Sequence, residues 1–430
     1  MLMDGWHNAD PDMAFEATRV LDRLISAGHE AYWVGGCVRD ELLGRSIQDM
    51  DLTTSAEPDE VVGLFDNVIP TGIQHGTVTV VSGSFPFEVT TFRTESDYED
   101  HRRPQDVRFV KDVREDLRRR DFTMNAMALT RAGELVDPFG GEADIRKGLI
   151  RCVGEAEERF EEDALRMLRC VRFAAVFGFR IAPATWKALL RKRQLLRYIA
   201  MERVRTEMEK IMKGPDPLRG LELLRRSELL SFTKTATPWQ RISAFSLGGL
   251  NDLPEEQRWG LLLLAGGFEP EQADVVLRDW TFSNAFRVRM LRLLEWERAV
   301  AAVSPSSADE AGLRREWISW LIRWGRETAA DWLAVNGSLS LEYRLVAHTR
   351  GIVSMLEAKG RDWTDDTSIQ QMKDLNITGN DLLGALNRRG GPWLGELMTR
   401  LLLAAACGDI ANEKEQLIEE AKRVTEVEKA

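Results

Sequence analysis

The chain reads AYWVGGCVRD over residues 31–40 and DMDLT over residues 49–53. The first four letters form an apolar run typical of a short buried strand, and residues 37–43 carry a helical pattern. Gly35 and Gly36 therefore lie where a strand turns into a helix. The free N–H groups at the start of a helix attract anions, so this turn is suited to hold a triphosphate.

Two carboxylates, Asp49 and Asp51, follow the glycine turn. If residues 50–53 form a strand, side chains two apart project from the same face, and both carboxylates can bind one pair of divalent ions. Hard oxygen ligands of this kind suit magnesium. A Gly-Gly turn alone is a common start of a helix, and an Asp-x-Asp pair alone is more often a solvated turn. Together, in the order strand, glycine turn, helix, strand, they indicate magnesium-dependent nucleotidyl transfer.

Length and composition exclude several classes of protein. The 430 residues are too many for one ordinary core, and the chain is 44% hydrophobic and 30% charged. No apolar stretch approaches the length of a membrane span, and the N-terminal residues do not resemble a secretion signal, so we expect a cytoplasmic protein without a membrane partner. The four cysteines form no C-x-x-C pair and the five histidines no H-x-x-x-H pair. We therefore expect catalysis to depend on carboxylates rather than on a zinc cluster.

The charge is distributed unevenly. The formal net charge of −11 argues against a nucleic-acid partner, but residues 161–230 contain 16 Lys and Arg against 9 Asp and Glu. A single basic pair usually solvates an exposed helix face. As a cluster beside a catalytic module, these residues favour a track for RNA.

The pattern of apolar residues changes along the chain. Residues 30–150 alternate β-branched runs with glycine turns, whereas the sequence after Gly154 has apolar residues at helical spacing, which predicts an α+β protein with a helical remainder. Turns between helical modules are expected near residues 214–217, 304–307 and 390–392. The polar segment 94–110 predicts a mobile loop.

Glu88 and the motif at residues 118–121 are further candidates for the site. Glu88 lies in the middle of a predicted strand, so it either faces solvent or acts as a third carboxylate at the metal site. The motif RRRD over residues 118–121 precedes a predicted helix that Asp121 could cap. One of its arginines could reach a ribose hydroxyl or a phosphate.

A stripe of charged residues opens the helical half: Asp163, Arg166, Arg169 and Arg172 recur every three residues. The simplest interpretation is an ion pair between Asp163 and Arg166. In the functional interpretation, the carboxylate accepts from an exocyclic amine while the guanidinium donates to ring acceptors. Such a pair would distinguish cytosine and adenine from guanine and uracil.

These blocks, in this order, resemble the class II tRNA nucleotidyltransferases, the CCA-adding enzymes of the polymerase β-like nucleotidyltransferase superfamily, which also include bacterial poly(A) polymerases. The motifs that carry the resemblance are residues 35–53, 119–127, 137–141 and 162–172. The resemblance implies a mixed-sheet nucleotidyltransferase head followed by an all-helical neck, body and tail. We assign these to residues 1–152, 153–215, 216–306 and 307–430, with nucleotide selection in the neck and tRNA binding in the tail.

The resemblance also implies roles for single residues. Asp49 and Asp51 would hold two Mg²⁺ ions, with Glu88 as the least secure catalytic residue. The nucleotide-binding residues would be Gly35, Gly36, Arg39, Arg120, Asp121, Asp163, Arg166, Arg169 and Arg172. Of these, Arg120 and Asp121 would contact ribose and phosphate, and Asp163 and Arg166 the base.

The implied reaction is in-line attack of the tRNA 3′ hydroxyl on the α-phosphorus of CTP or ATP, with release of pyrophosphate. No obligate protein partner is evident. Family members that add only CC tend to have a shortened loop between the first two motifs, whereas segment 94–110 of this chain is long. Poly(A) polymerases usually carry a long basic C-terminal extension, whereas the C-terminal residues of this chain are acidic. Complete CCA addition is the leading hypothesis. The alternatives are A addition, poly(A) synthesis, and a noncatalytic RNA-binding protein on the same scaffold.

Overall fold

The computed structural model describes residues 5–70, 72–99, 103–235, 247–304, 309–339 and 350–427. It divides into two compact units, Met1–Gln240 and Arg241–Ala430. The predicted division into four domains stays a prediction. None of the helices among the described residues is long and apolar enough to cross a membrane.

The first unit begins with a mixed α/β region. Its helices and strands, in chain order, are α1 (Pro11–Ser26), β1 (Ala31–Val34), α2 (Gly36–Leu42), β2 (Leu52–Thr54), α3 (Pro58–Leu64), β3 (Val68–Ile69), β4 (Thr77–Ser82), β5 (Phe85–Thr91), β6 (Arg93–Glu99), β7 (Arg103–Phe109), α4 (Val113–Arg118), β8 (Ala128–Leu129), β9 (Leu135–Val136), α5 (Gly141–Arg146) and β10 (Leu149–Ile150).

Helices dominate the rest of the first unit. These helices are α6 (Ala156–Glu162), α7 (Leu165–Phe177), α8 (Pro183–Lys192), α9 (Met201–Lys213) and α10 (Pro217–Ser227), and the strand β11 (Arg180–Ile181) lies between α7 and α8. The short strand β11 pairs with β10. It is an exception to the helical pattern predicted after Gly154.

Seven of the described strands form one sheet in the order β3-β4-β5-β2-β1-β8-β9. The pairing of β2 with β5 is parallel and the pairing of β2 with β1 is antiparallel, so the sheet is mixed, as expected. Burial alternates along β5, where Phe87 and Val89 are buried and Glu88 is exposed. This period of two is the pattern of a strand with one face on the core.

The segment predicted as a mobile loop, residues 94–110, is described mainly as a ribbon of the antiparallel strands β6 and β7. The prediction of a loop was therefore wrong for the described residues, while residues 100–102 lie outside them. Strand prediction depends on alternating apolar residues, and these two segments contain few of them. A two-stranded ribbon can form without such alternation because it need not present an apolar face to a core.

The second unit is helical. Its helices are α11 (Glu255–Ala265), α12 (Pro270–Asp279), α13 (Asn284–Ala301), α14 (Glu310–Trp324), α15 (Arg326–Ser338), α16 (Arg350–Asp366), α17 (Gly379–Leu386), α18 (Pro392–Cys407) and α19 (Lys414–Val427). Buried tryptophans fill its core, with the rings of Trp296 and Trp317 4.9 Å apart at a steep angle. The indole N–H of the buried Trp332 donates to Glu297 (2.7 Å), so its polar atom is satisfied.

Candidate active site

The predicted glycine turn connects β1 to α2. Gly35 has a φ of +76°, a conformation that favours glycine, and its N–H donates to the carbonyl of Met127 (3.1 Å). A Cβ atom at this position would lie 2.8 Å from Nη1 of Arg120. The backbone conformation therefore favours glycine at residue 35, and a larger residue would also displace the guanidinium of Arg120. The helix begins at Gly36, as the sequence predicts.

Arg39, on α2, is held beside this turn. Its Nη1 donates to Oδ1 of Asn125 (2.6 Å), and its Nε and Nη2 donate to the carboxylate of Asp40 (3.0 and 2.8 Å). Its guanidinium carbon lies 4.8 Å from the ring centroid of Phe177. These contacts fix one orientation of the positive charge close to the glycine turn.

Both candidate metal ligands precede the strand β2. β2 begins at Leu52, so Asp49 and Asp51 lie just before it and the predicted start at residue 50 was early. The carbonyl of Asp51 accepts from the N–H of Val34 (3.0 Å), which ties the carboxylate segment to the end of β1. The carboxylates are therefore adjacent to the glycine turn.

Glu88 is the third carboxylate of this region. The parallel register pairs Leu52 with Val89, so the preceding residues Asp51 and Glu88 are neighbours. Burial, together with the negative charges of Asp49 and Glu88, raises the pKa of Asp51 to about 6. The positive charge of Arg120 opposes this shift. Asp49 and Glu88 thus both repel the negative charge of Asp51, and a bound cation relieves repulsion of this kind.

This donor set fits magnesium when phosphate completes it. Among the described residues, no three His, Cys, Asp or Glu side chains form a group that could hold a metal ion by itself. Magnesium is usually held by one or two carboxylates together with substrate phosphates and water. Asp49 and Asp51 can provide the carboxylates. Glu88 is exposed, and its role as a ligand stays a prediction.

Asp121 has a different role from the expected helix cap. Its Oδ1 accepts from the N–H of Phe122 (2.8 Å) and from Nδ2 of Asn125 (2.9 Å), and its Oδ2 accepts from Nε of Arg169 (2.8 Å). The next element is a 3₁₀ turn over Thr123–Asn125 without a side-chain cap. The capping prediction was wrong because the carboxylate is directed towards an arginine of α7 instead.

The charge of Asp121 is strongly stabilised. Burial alone would raise its pKa, but the positive charge of Arg169, the hydrogen bond from Asn125 and the charge of Arg166 outweigh burial and lower the pKa to about 2. Its neighbour Arg120 lies 3.6 Å from the buried carboxylate of Asp116. Arg120 also faces Gly35, so it places positive charge next to the glycine turn.

The first members of the charged stripe do not pair with each other. Asp163 lies before α7, where its Oδ1 accepts from the N–H of Leu165 (3.1 Å) and its Oδ2 from Nη2 of Arg203 (2.9 Å). Arg166 is buried and donates to Glu162 (2.6 Å) and to the carbonyl of Arg119 (2.8 Å). The simple ion pair between Asp163 and Arg166 was therefore a wrong interpretation, and the helical stripe consists of the arginines alone.

The other two arginines of α7 share a carboxylate that the sequence interpretation missed. Nε of Arg172 donates to Glu207 of α9 (2.6 Å), and Arg169 lies 4.0 Å from the same side chain. Glu207 is only 3% exposed. It lies on the apolar face of α9, next to Val204 and Met208 in helical spacing, and a carboxylate on an apolar face was the signal that could have found it.

The side chain of Asn125 connects the two halves of the site, the first half being the region of the glycine turn and Asp49, Asp51 and Glu88, and the second half the region of α7 with its arginines. Asn125 accepts from Arg39 of α2 and donates to Asp121, which in turn binds Arg169 of α7. We call Arg39, Asn125, Asp121 and Arg169 the Asn125 bridge. It connects α2, which begins at the glycine turn, to the arginines of α7. Backbone N–H groups, carboxylates and arginines close together are chemically suited to a triphosphate and a metal ion.

Comparison with protein families gives three matches along the chain. Residues 31–151 match the Poly A polymerase head domain, residues 178–234 match a model described as the "Probable RNA and SrmB- binding site of polymerase A", and residues 253–421 match domain 2 of tRNA nucleotidyltransferase. The first match contains the glycine turn, the carboxylates and Asn125.

Individual relatives match almost the whole chain. A CCA-adding enzyme of Anoxybacillus flavithermus is 36% identical over 94% of this chain and 96% of its own length, and one of Geobacillus thermodenitrificans is 38% identical over 94% and 95%. The crystal structure of the Bacillus stearothermophilus CCA-adding enzyme in complex with CTP has a TM-score of 0.81 and 34% identity, covering 98% of this chain and 99% of that one.

Proposed function

Because the chain belongs to the CCA-adding enzymes, which are tRNA nucleotidyltransferases, we propose that it adds C, C and A in turn to the 3′ end of tRNA. CTP and ATP are the substrates and pyrophosphate is the second product. The observation that carries the proposal is identity of 36% over 94% of the chain to a CCA-adding enzyme, combined with the glycine turn, carboxylates and arginines of one site. The cytoplasmic location is a prediction from the sequence alone.

The carboxylates and the phosphate-binding residues would act together. We propose that Asp49 and Asp51 hold two magnesium ions through their oxygens and those of the triphosphate. The chemistry that magnesium held by Asp49 and Asp51 would supply is a lower pKa of the 3′ hydroxyl and stabilisation of the charge on the leaving pyrophosphate. The glycine turn presents backbone N–H groups, and Arg39 and Arg120 add positive charge beside it. These groups would orient the α-phosphorus for in-line attack.

The base would be selected by Asp163 and Arg166. Both side chains already have hydrogen-bond partners, since Asp163 accepts from Arg203 and Arg166 donates to Glu162. A nucleobase therefore has to replace part of these contacts, and only a base edge with matching donors and acceptors compensates for their loss. Cytosine and adenine share the exocyclic amine that a carboxylate accepts from.

An extension assay tests the proposal. Purified protein is incubated with magnesium, CTP and ATP and either tRNA lacking its last three nucleotides or an unstructured RNA, and the products are resolved nucleotide by nucleotide. We expect C, C and A on the tRNA and little extension of the unstructured RNA. Addition of A alone, addition of C alone, or a long A tail would each contradict complete CCA addition.

A further inference from the structure

A cavity outside the candidate active site lies between β11, α8 and α10. Its volume is about 380 Å³. Apolar side chains form most of its wall, with Phe179, Trp186 and Leu223 among them, and Arg180, Arg219 and Arg226 complete the lining. We call this cavity the Trp186 groove.

The Trp186 groove differs in charge from other cavities of the molecule. Among the residues that the structure describes, its lining contains three arginines and no acidic residue. A larger cavity beside α1 mixes Arg19 and Arg23 with Asp22 and Asp66. In a chain with a formal net charge of −11, an apolar cavity lined only by positive charge favours an anionic ligand with an apolar part.

The arginines of the groove are placed so that positive charge is available. Nη2 of Arg219 donates to the carbonyl of Phe179 (2.7 Å), which holds that guanidinium against β11. The guanidinium carbon of Arg226 lies 5.9 Å from the ring centroid of Trp186. The adjacent Arg225 instead pairs with Glu222 (2.9 Å) and does not line the groove.

The groove adjoins the candidate active site through aromatic rings. The ring centroids of Phe179 and Phe177 are 5.7 Å apart. The guanidinium groups of Arg39 and Arg45 lie 4.8 and 5.1 Å from the ring of Phe177. The segment that matches the RNA-binding model, residues 178–234, contains all the residues that line the groove.

We propose that the Trp186 groove binds one unpaired nucleotide of the RNA substrate, with its base against Trp186 and its phosphate at Arg180 and Arg226. This inference rests on the proposed function, because it takes RNA as the substrate. An aromatic ring next to arginines is the surface on which unpaired bases stack while their phosphates are neutralised. The groove is a site for the RNA chain, separate from the site for the incoming nucleoside triphosphate.

The test measures binding of tRNA that lacks its last three nucleotides and carries a 5′ fluorophore, by fluorescence anisotropy at several salt concentrations. Trp186→Leu removes the ring but keeps an apolar side chain, and we expect it to raise the Kd roughly 5- to 100-fold. Arg226→Gln is expected to weaken binding and to reduce the slope of log Kd against log salt concentration by about 0.7. At saturating tRNA, both variants should keep the wild-type kcat and the wild-type KM for CTP.

Matched variants provide the controls. Trp186→Phe keeps an aromatic ring and should bind tRNA more tightly than Trp186→Leu, and Arg225→Gln removes an adjacent charge that does not line the groove and should bind like the wild type. Equal losses in Arg225→Gln and Arg226→Gln, equal Kd values for the two Trp186 variants, or a raised KM for CTP would overturn the inference. A wild-type protein that fails to extend tRNA would refute the proposed function instead. Extension by the wild type with unchanged tRNA binding in the variants refutes the groove alone.

Discussion

The two halves of the site differ in how their charges are balanced. Next to the glycine turn, burial and the negative charges of Asp49 and Glu88 raise the pKa of Asp51 to about 6. Around α7, every acid has a cationic partner, and the pKa of Asp121 is lowered to about 2. The first half needs a ligand to complete it, whereas the second half is preorganised and must exchange partners when a ligand binds.

The largest effect is expected in the first half. Asp51→Asn should reduce nucleotide addition by at least ~10³-fold, because in the proposed mechanism Asp49 alone would then have to hold the magnesium ions. Single-turnover addition of CMP to tRNA measures the loss, and calorimetric titration with magnesium and CTP measures the binding. Glu88→Gln serves as the comparison: it should leave most of the activity, and an equal loss in both variants would make Glu88 an essential ligand.

A smaller effect is expected on base selection in the second half. Asp163→Ala and Arg166→Ala should reduce the preference for CTP and ATP over UTP and GTP by ~10- to 100-fold. The reason is that each variant lacks a polar side chain that uracil and guanine would leave without a matching hydrogen bond. The ratio of kcat/KM values for the four nucleotides measures this change, and magnesium binding should be retained. Unchanged selectivity in both variants would show that the base is selected elsewhere.

The bridge between the halves gives a third test. Asn125→Ala removes the partner of both Arg39 and Asp121, so we expect a rise in KM for CTP of ~10-fold and a loss of about 1–3 kcal/mol in the free energy of unfolding. Asn125→Asp keeps an acceptor for Arg39 but loses the donor to Asp121, and it should place a second negative charge beside that carboxylate. If the two variants had the same KM as the wild type, the bridge would contribute only to stability.

The smallest effect is a pH dependence of opposite sign in the two halves. The pKa of Asp51 in the folded protein, about 6, lies above its ordinary value of 3.8, so without magnesium this group adds stability as pH falls from 7 towards 4. The pKa of Asp121, about 2, lies below 3.8, so its contribution is complete above about pH 4 and is lost as pH falls through 2.

Thermal unfolding in the presence of a chelator measures this contrast. At pH 7, Asp51→Asn should raise the free energy of unfolding by about 1–3 kcal/mol, and the gain should shrink towards pH 4. Asp121→Asn should lower it at pH 7, and that loss should shrink towards pH 2. Parallel pH profiles for the two variants would contradict the difference between the halves.

The first half could be predicted from the sequence because its parts are local. The turn at Gly35 and the carboxylates Asp49 and Asp51 lie within one short segment, and the alternation of β5 places Glu88 on the face opposite the buried Phe87 and Val89. The second half depends on distant pairs that no local pattern reveals. Asp163 pairs with Arg203, 40 residues away, rather than with Arg166 on its own stripe.

The polar ribbon of β6 and β7 shows the same limit in secondary structure. Strand prediction depends on alternation of apolar and polar residues, and this segment has little apolar content to alternate. The prediction that Asp121 caps a helix was wrong for a related reason. A carboxylate before a helix usually caps it, but here an arginine from α7, 48 residues away, competes for the same oxygens.

The amide of Asn125 has a direction: its oxygen faces a cation and its nitrogen faces an anion. Rotation of the amide by 180° would reverse both contacts, so the two amide protons of this side chain are held in distinct surroundings. The NMR resonances of the Nδ2 protons would report on the contact with Asp121, and the resonance of the side-chain carbonyl carbon would report on the contact with Arg39. A ligand that reaches only the phosphate-binding end and one that reaches only the base-selecting end would thus leave different spectroscopic signatures on one side chain.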